Sequence, residues 1–232
     1  MSLLYLVTES DRDASFYQKC ASRLTGRSFA DVQPLRNRKG DGSAAVQRQL
    51  EYALKQARGV AAGATEVCFI AAIDNDRAPH PENDAALNRT LLSKRERAYT
   101  CRRDWMRQTV DSVLGANRAE WPMRVAVAVP VEMVECWIVK ALGAELPGGP
   151  TPHFSKQSQG KARDYYAPVD APAQWKDLER EARTQCGLTN DENFYEHAAC
   201  EIEKGAEALA ARSLSFREFL ADLRSWGGGT AQ

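Results

Sequence analysis

The sequence has few of the residues that form zinc sites or disulfide frameworks. It contains three histidines, none near another, and six scattered cysteines without a Cys-x-x-Cys pair. Structural zinc sites need clustered Cys and His ligands, and disulfide frameworks occur mainly in small secreted domains with too little core. A chain of 232 residues is long enough to bury a core of its own. We therefore expect neither a zinc site nor a disulfide framework.

Long hydrophobic runs and an excess of charge of one sign are also missing. The first apolar run, residues 3–7, is too short for a signal-peptide core, and no later run is long enough to span a membrane. Lys plus Arg and Asp plus Glu number 31 each, so the chain is not a global polycation. A neutral chain can still carry a local basic groove for nucleic acid. We expect a cytoplasmic protein that does not enter a membrane.

Short apolar runs alternate with helical segments along the first two thirds of the chain. The runs 3–7, 66–73 and 124–129 predict buried strands. The segment 31–36 predicts an edge strand, because Pro34 has no backbone N–H to donate to a neighbouring strand. Apolar residues at helical spacing separate the strands, in segments 11–24, 43–58, 91–114 and 131–143.

This alternation predicts an α/β fold with a mainly parallel four-stranded sheet flanked by helices. Continuous apolar strands are typical of a sheet that is covered on both faces. Residues 145–172 are rich in Gly, Pro, Ser and Lys and lack periodicity, and helices are predicted after them over 173–187, 193–213 and 215–226. We therefore divide the chain into a core, residues 1–146, and a linker with a helical C-terminal extension, residues 147–232.

Three carboxylates follow predicted strands. Asp74 and Asp76 come directly after the most hydrophobic strand, and Glu9 follows the first one. Sites in open parallel sheets form outside the carboxyl ends of the strands, so the three share one crevice if the two strands are neighbours. Carboxylate oxygens suit Mg²⁺ or Mn²⁺. Alternatively, residues 74–76 form a simple turn and Glu9 caps the helix that begins near Ser10.

Four stretches resemble a known family: "LYLVTESDRDASFY", "IAAIDNDRAP", "VPVEMVECWIVKAL" and "LAARSLSFREFLADL". In matched order, they are similar to stand-alone TOPRIM-like bacterial proteins of the DUF4276 and RloB-like types, which are associated with phage defence. Glu9 at the end of the first strand, with Asp74 and Asp76 at the end of a later hydrophobic strand, also resembles the signature of the TOPRIM fold, which is found in topoisomerases, primases and nucleases of the overcoming-lysogenization-defect type. The chain departs from the TOPRIM pattern at Ser10, where these proteins usually have a glycine after the glutamate.

The resemblance implies a Mg²⁺-dependent phosphodiesterase, a nuclease that acts on nucleic acid in bacterial phage defence. It implies that Asp74 and Asp76 bind Mg²⁺ or Mn²⁺, and that Glu9 is a further ligand or the general acid or base. Two other functions fit the same sequence: a non-catalytic TOPRIM-like partner of an ATPase, and a nucleotide-binding module. The chain has no Walker A motif, so an ATP-driven step requires a separate ATPase.

A second acidic pair, Glu132 and Glu135, lies three residues apart on the helix after the last strand. The first turn of this helix is expected to face the crevice, where Glu135 is the better candidate for a catalytic role at a second metal. The alternative is a solvated helix face with acidic residues near its N-terminus. Asp11 and Asp13 are interpreted as acidic residues of a first helical turn, where the helix dipole favours them.

Candidate contacts to nucleic acid lie in basic segments. A basic loop before a helix is a plausible phosphate cradle, and lysines interleaved with aromatics suit a nucleic-acid backbone. In both places the alternative is an ordinary surface loop or linker. The candidates are Arg36, Arg38 and Lys39 in the first segment, and Lys156 and Lys161 in the second.

A third basic segment, "SKRERAYTCRRDWMR" (residues 93–107), lies within the predicted helical segment 91–114. Runs of like charge are usually solvated helix faces, although they also contact phosphates. We interpret this segment as a solvated face or a phosphate contact.

Overall fold

The computed structural model describes residues 2–34, 42–63, 66–75, 94–115, 122–130, 134–142, 179–180, 182–184, 186–188 and 190–227. The strands are β1 (Ser2–Val7), β2 (Phe29–Pro34), β3 (Val67–Ala72) and β4 (Met123–Ala128). The helices are α1 (Asp11–Thr25), α2 (Ser43–Ala61), α3 (Arg102–Leu114), α4 (Glu135–Ala141), α5 (Asp191–Lys204), α6 (Ala206–Arg212) and α7 (Leu214–Trp226).

The four strands form an all-parallel sheet in the order β2-β1-β3-β4. Tyr5 of β1 lies opposite Phe69 of β3, which in turn lies opposite Val125 of β4. The predicted α/β fold with a four-stranded parallel sheet and C-terminal helices is confirmed. Strand β2 lies at one end of the described sheet, in agreement with the prediction drawn from Pro34.

Every residue of β3 is buried because the sheet is covered on both faces. Cys68 and Ile70 belong to a hydrophobic cluster with α1, α4 and the C-terminal helices. Phe69 and Ala71 point to the opposite face and pack in a second cluster with α2 and α3. Successive side chains of a strand alternate between faces, which explains why this strand is apolar throughout rather than at every second position.

The direction of the chain across the sheet reverses between β1 and β3. The chain leaves β1 through α1 towards β2, whereas it leaves β3 through α3 towards β4. Helix α1 packs on one face of the sheet and α3 on the other. In open α/β sheets, the loops diverge at such a reversal and leave a crevice at the carboxyl ends of the two strands.

The C-terminal helices share a core with the sheet. Phe219 of α7 packs against Tyr17 of α1 and stacks on Trp137 of α4, with ring centroids 5.7 and 5.6 Å apart. Asp222 of α7 accepts the Val127 backbone N–H of β4 at 3.0 Å. The helix expected from the sequence over 193–213 is divided at residue 205 into α5 and α6. The domain boundary at residue 146 stays a prediction.

Within the described parts of the chain, no helix combines the length and apolar character needed to cross a membrane.

Replacing Phe219 by alanine is expected to reduce the free energy of unfolding by about 3–5 kcal/mol, because a fully buried aromatic ring is lost. Urea unfolding measures the change, and one common transition is expected for the sheet and α7. Tyr52→Ala is the matched control, since this ring is 64% exposed on α2. A loss below about 1 kcal/mol, or two separate transitions, would show that α7 does not share the core of the sheet.

Candidate functional site

Two of the three acidic residues predicted at the strand ends, Glu9 and Asp74, contact each other at the reversal between β1 and β3. Glu9 lies two residues beyond β1, and Asp74 lies two residues beyond β3. Glu9 Oε1 accepts the backbone N–H of Asp74 at 3.1 Å. The condition set by the sequence, that the two strands be neighbours, is fulfilled by direct pairing of β1 with β3.

The pairing of β3 explains why the Asp74 N–H is available to Glu9. The N–H groups of Ile73 and Asn75 both point towards β4, where they donate to the carbonyls of Ala128 and Pro130, each at 3.1 Å. The intervening N–H of Asp74 therefore points towards β1. Buried backbone N–H groups require an acceptor, and here the Glu9 side chain takes the place of a backbone carbonyl.

Two further contacts hold Asp74. Its Oδ1 accepts the backbone N–H of Val134, immediately before α4, at 3.1 Å. Its backbone carbonyl accepts Nη1 of Arg102, the first residue of α3, at 2.6 Å. The partner Val134 lies 60 residues away in sequence, so this contact is not a hydrogen bond within a local turn. Asp74 is thus connected to the starts of two helices and to the end of β1.

Ser10, not Glu9, caps α1. The Ser10 hydroxyl accepts the Asp13 backbone N–H at 3.2 Å, and Asp11 and Asp13 lie in the first turn as expected. Ser10 has an extended backbone, with φ −146° and ψ 168°, which residues other than glycine adopt readily. The serine is therefore compatible with this position, although TOPRIM proteins usually have a glycine there.

A glycine approaches Glu9 from a different loop. Gly42 precedes α2, and its N–H donates to the Glu9 carbonyl at 3.1 Å. Its φ of 86° and ψ of −178° fall in a region that is essentially restricted to glycine. A Cβ at this position would lie 3.9 Å from Glu9 Oε2. The start of α2 is thus held beside the carboxylate.

Arg102 and Glu96 were not identified from the sequence. Both belong to the basic segment that we interpreted as a solvated face or a phosphate contact, and the solvated face is wrong for these two residues, because both are buried. Glu96 is fully buried, and its Oε1 accepts Nε of Arg102 at 3.0 Å. The only sequence signal was a glutamate within a basic run. Its partner could not be inferred, because it depends on how the chain folds between β3 and α3.

Glu135 is the first residue of α4 and is 9% exposed. The alternative of a solvated face is therefore wrong for this residue. It directly follows Val134, whose N–H binds Asp74, so the start of α4 borders the crevice as expected. Its role as a fourth catalytic group stays a prediction, and Glu132 lies outside the described residues.

The other predicted site residues lie outside the described parts of the chain. They are Asp76, Arg36, Arg38, Lys39, Lys156 and Lys161.

The Glu9–Asp74 pair fits a magnesium site by its donor chemistry. Mg²⁺ binds hard oxygen ligands, often through only one or two protein carboxylates, with waters and substrate phosphates completing its shell. The carboxylate of Glu9, which accepts the backbone N–H of Asp74, and the carboxylate of Asp74 itself supply such ligand oxygens. Among the described residues, which do not include Asp76, no group of three His, Cys, Asp or Glu side chains could hold a metal ion. The expected third ligand, Asp76, lies outside these residues.

The C-terminal segment contacts the start of α1, which follows Glu9, through Glu179. Glu179 is 4% exposed and accepts hydrogen bonds from Arg12 of α1 at 3.2 Å and from Arg183 at 2.7 Å. Nearby, burial raises the pKa of Tyr195 to about 12. The first turn of α1, which follows Glu9, is therefore fixed by residues far along the chain.

In comparisons with known proteins, no family model, no curated protein and no solved structure matches this chain at a significant level. The TOPRIM resemblance thus rests on the short motifs quoted above. A fold alone does not determine a function, so the function must be argued from the crevice.

Gly42→Ala is expected to reduce the free energy of unfolding by about 1–3 kcal/mol, because alanine is strained at this φ and ψ. Gly59→Ala, in the same helix and with open space around its Cβ position, is the matched control. It should stabilise the protein by about 0.5–1 kcal/mol, since alanine is the better helix former. Urea unfolding measures both. A neutral Gly42→Ala would contradict the described backbone conformation of Gly42.

Proposed function

We propose that the protein is a Mg²⁺- or Mn²⁺-dependent phosphodiesterase that acts on nucleic acid. The observation that carries this proposal is the contact between Glu9 and Asp74 at the reversal of the sheet. Open α/β sheets bind their ligands at this place. Glu9 and Asp74 place two negative charges at these strand ends, which favours a cation there, and the resemblance to TOPRIM nucleases gives the same residues a metal-binding role.

In this proposal, Asp74 and Asp76 hold the metal, and Glu9 is a further ligand or the general acid or base. The bound metal supplies polarisation of a phosphoryl oxygen and stabilises charge on the leaving oxygen. The Val134 N–H orients one Asp74 oxygen. A carboxylate that acts as a base must lie within hydrogen-bond reach of the attacking water, and Glu9 or Glu135 has this role.

The basic segment before α2 supports nucleic acid as the substrate. Arg36, Arg38 and Lys39 precede Gly42 in the sequence by a few residues, and Gly42 contacts Glu9. The chain thus connects these cations directly to a residue of the crevice. Arginine and lysine side chains pair with phosphates. Lys156 and Lys161 are proposed as further contacts to the nucleic-acid backbone.

The proposed role in bacterial phage defence, with an ATPase as partner subunit, follows from the resemblance alone. We also propose a cytoplasmic location, because the apolar runs of the sequence are too short to span a membrane.

A non-catalytic module is the second candidate. Glu9 and Asp74 each accept a backbone N–H from a distant part of the chain, so both carboxylates also have a structural use. A TOPRIM-like partner of an ATPase, or a nucleotide-binding module without cleavage, would retain them for that reason.

Asp74→Asn separates the two candidates. Asparagine keeps an oxygen that accepts the Val134 N–H but loses the charge. We expect metal-dependent cleavage of labelled DNA and RNA, single- and double-stranded, to fall at least about 100-fold, because several kcal/mol of charge stabilisation is lost. The melting temperature should stay at or above that of the wild type, since asparagine keeps the hydrogen bond to the Val134 N–H. Glu51→Gln, in an exposed pair on α2, is the control.

Calorimetry with Mg²⁺ and Mn²⁺ adds a test that does not require the substrate. Binding by the wild type should disappear in a folded Asp74→Ala/Asp76→Ala variant. Full cleavage by Asp74→Asn would rule out the phosphodiesterase proposal. A lower melting temperature in an Asp74→Asn variant, for a wild type that cuts no nucleic acid, would favour the non-catalytic module.

A further inference from the structure

The ion pair between Arg102 and Glu96 is buried, which is unusual for charged side chains. Their side chains are 8% and 0% exposed, and Nε lies 3.0 Å from Oε1. Removing two charges from water costs free energy that their attraction often does not recover, so hydrophobic residues of similar volume are commonly as stable or more stable. Stability alone is therefore a poor explanation for this pair.

The position of Arg102 in α3 is a second reason why stability does not explain this pair. It is the first residue of the helix, at the positive end of the helix dipole. A cation is disfavoured there, and the buried carboxylate of Glu96 offsets this cost. The cost of a cation at the start of α3 and the cost of a buried carboxylate at Glu96 thus partly offset each other.

The ion pair holds the peptide group that follows Asp74. The guanidinium is rigid and planar, so the bond from Nε to Glu96 fixes the direction of Nη1. Nη1 donates to the Asp74 carbonyl at 2.6 Å. The same peptide group carries the Asn75 N–H, which donates to the Pro130 carbonyl at 3.1 Å. This planar peptide is therefore held at both ends.

The preceding peptide is held as well, because the Asp74 N–H donates to Glu9. With the peptide planes on both sides fixed, the backbone dihedrals of Asp74 and the direction of its Cβ are fixed too. A lysine at position 102 has a single ammonium on a flexible stem and cannot reproduce two divergent, coplanar contacts.

We propose that Arg102 is a positioning residue for Asp74, anchored by Glu96, and that it sets the orientation in which the Asp74 carboxylate receives a divalent cation. This inference rests on the proposed metal-dependent function. It assigns Arg102 no contact with substrate or metal, and it explains why a charged pair is buried at this place.

The decisive variant is Glu96→Leu/Arg102→Met, which replaces the ion pair by apolar side chains of similar volume. We expect it to stay folded, with a urea midpoint at or above that of the wild type. Its affinity for Mn²⁺, measured by water-proton relaxation without substrate, should fall about 10–100-fold, as is typical when groups supporting a metal ligand are removed. Amide hydrogen exchange at Asp74 and Asn75 should accelerate at least about 10-fold, since the peptide between them loses its contact with Arg102 and opens locally more often.

Arg107→Met is the matched control, because Arg107 lies in the same helix but pairs with Asp222 of α7. It should leave Mn²⁺ affinity and Asp74 exchange unchanged. If Glu96→Leu/Arg102→Met behaves like this control in both measurements, the positioning role is overturned. If the double variant does not fold, Arg102→Lys is judged by the same two measurements.

The two proposals fail in different ways. A wild type that binds no Mn²⁺ overturns the metal-dependent function, and the exchange rates at Asp74 then decide the positioning role alone. A wild type that binds Mn²⁺, with unchanged affinity and exchange in the folded double variant, overturns only the role of Arg102.

Discussion

The hydrogen bond from the Asp74 N–H to Glu9 Oε1 joins the two strand ends on which the crevice depends. Backbone pairing between β1 and β3 extends only to Val7 and Ala71, and the helices that follow the two strands, α1 and α3, lie on opposite faces of the sheet. A side chain continues the connection where backbone pairing stops. The acidic groups are therefore brought together by the topology of the sheet, and the other contacts of Asp74 build on that arrangement.

The fold could be predicted from sequence where one local signal was sufficient. Strand β3 was predicted within one residue at each end, because a strand buried on both faces is apolar throughout. The start of α1 follows from the cap at Ser10, and its end from Gly26 in a left-handed conformation. The interruption at Gly205 was missed, since the apolar spacing of α5 continues into α6 and a single glycine does not always end a helix.

The site could be predicted only in part. Glu9 and Asp74 were found because they follow strands, and that relation is visible in the sequence. Their partners Val134 and Arg102 were not found, because hydrogen bonds between segments 60 and 28 residues apart depend on tertiary packing. Glu96 had the opposite of its expected environment, since a glutamate among basic residues is normally solvated. Which residues support a site therefore depends on tertiary packing, and no sequence pattern around those residues predicts it.

The position of Asp222 has a consequence for association with other chains. Exposed edge strands are templates for pairing with a foreign strand, and several recognition modes use this directly. At β4, the Val127 N–H is already bound to Asp222 of α7, which also pairs with Arg107 of α3 at 3.1 Å. A strand from another molecule that paired at this position would have to displace a helix of the protein's own core. The C-terminal helix thus protects this edge of the sheet against aggregation as well as covering one of its faces.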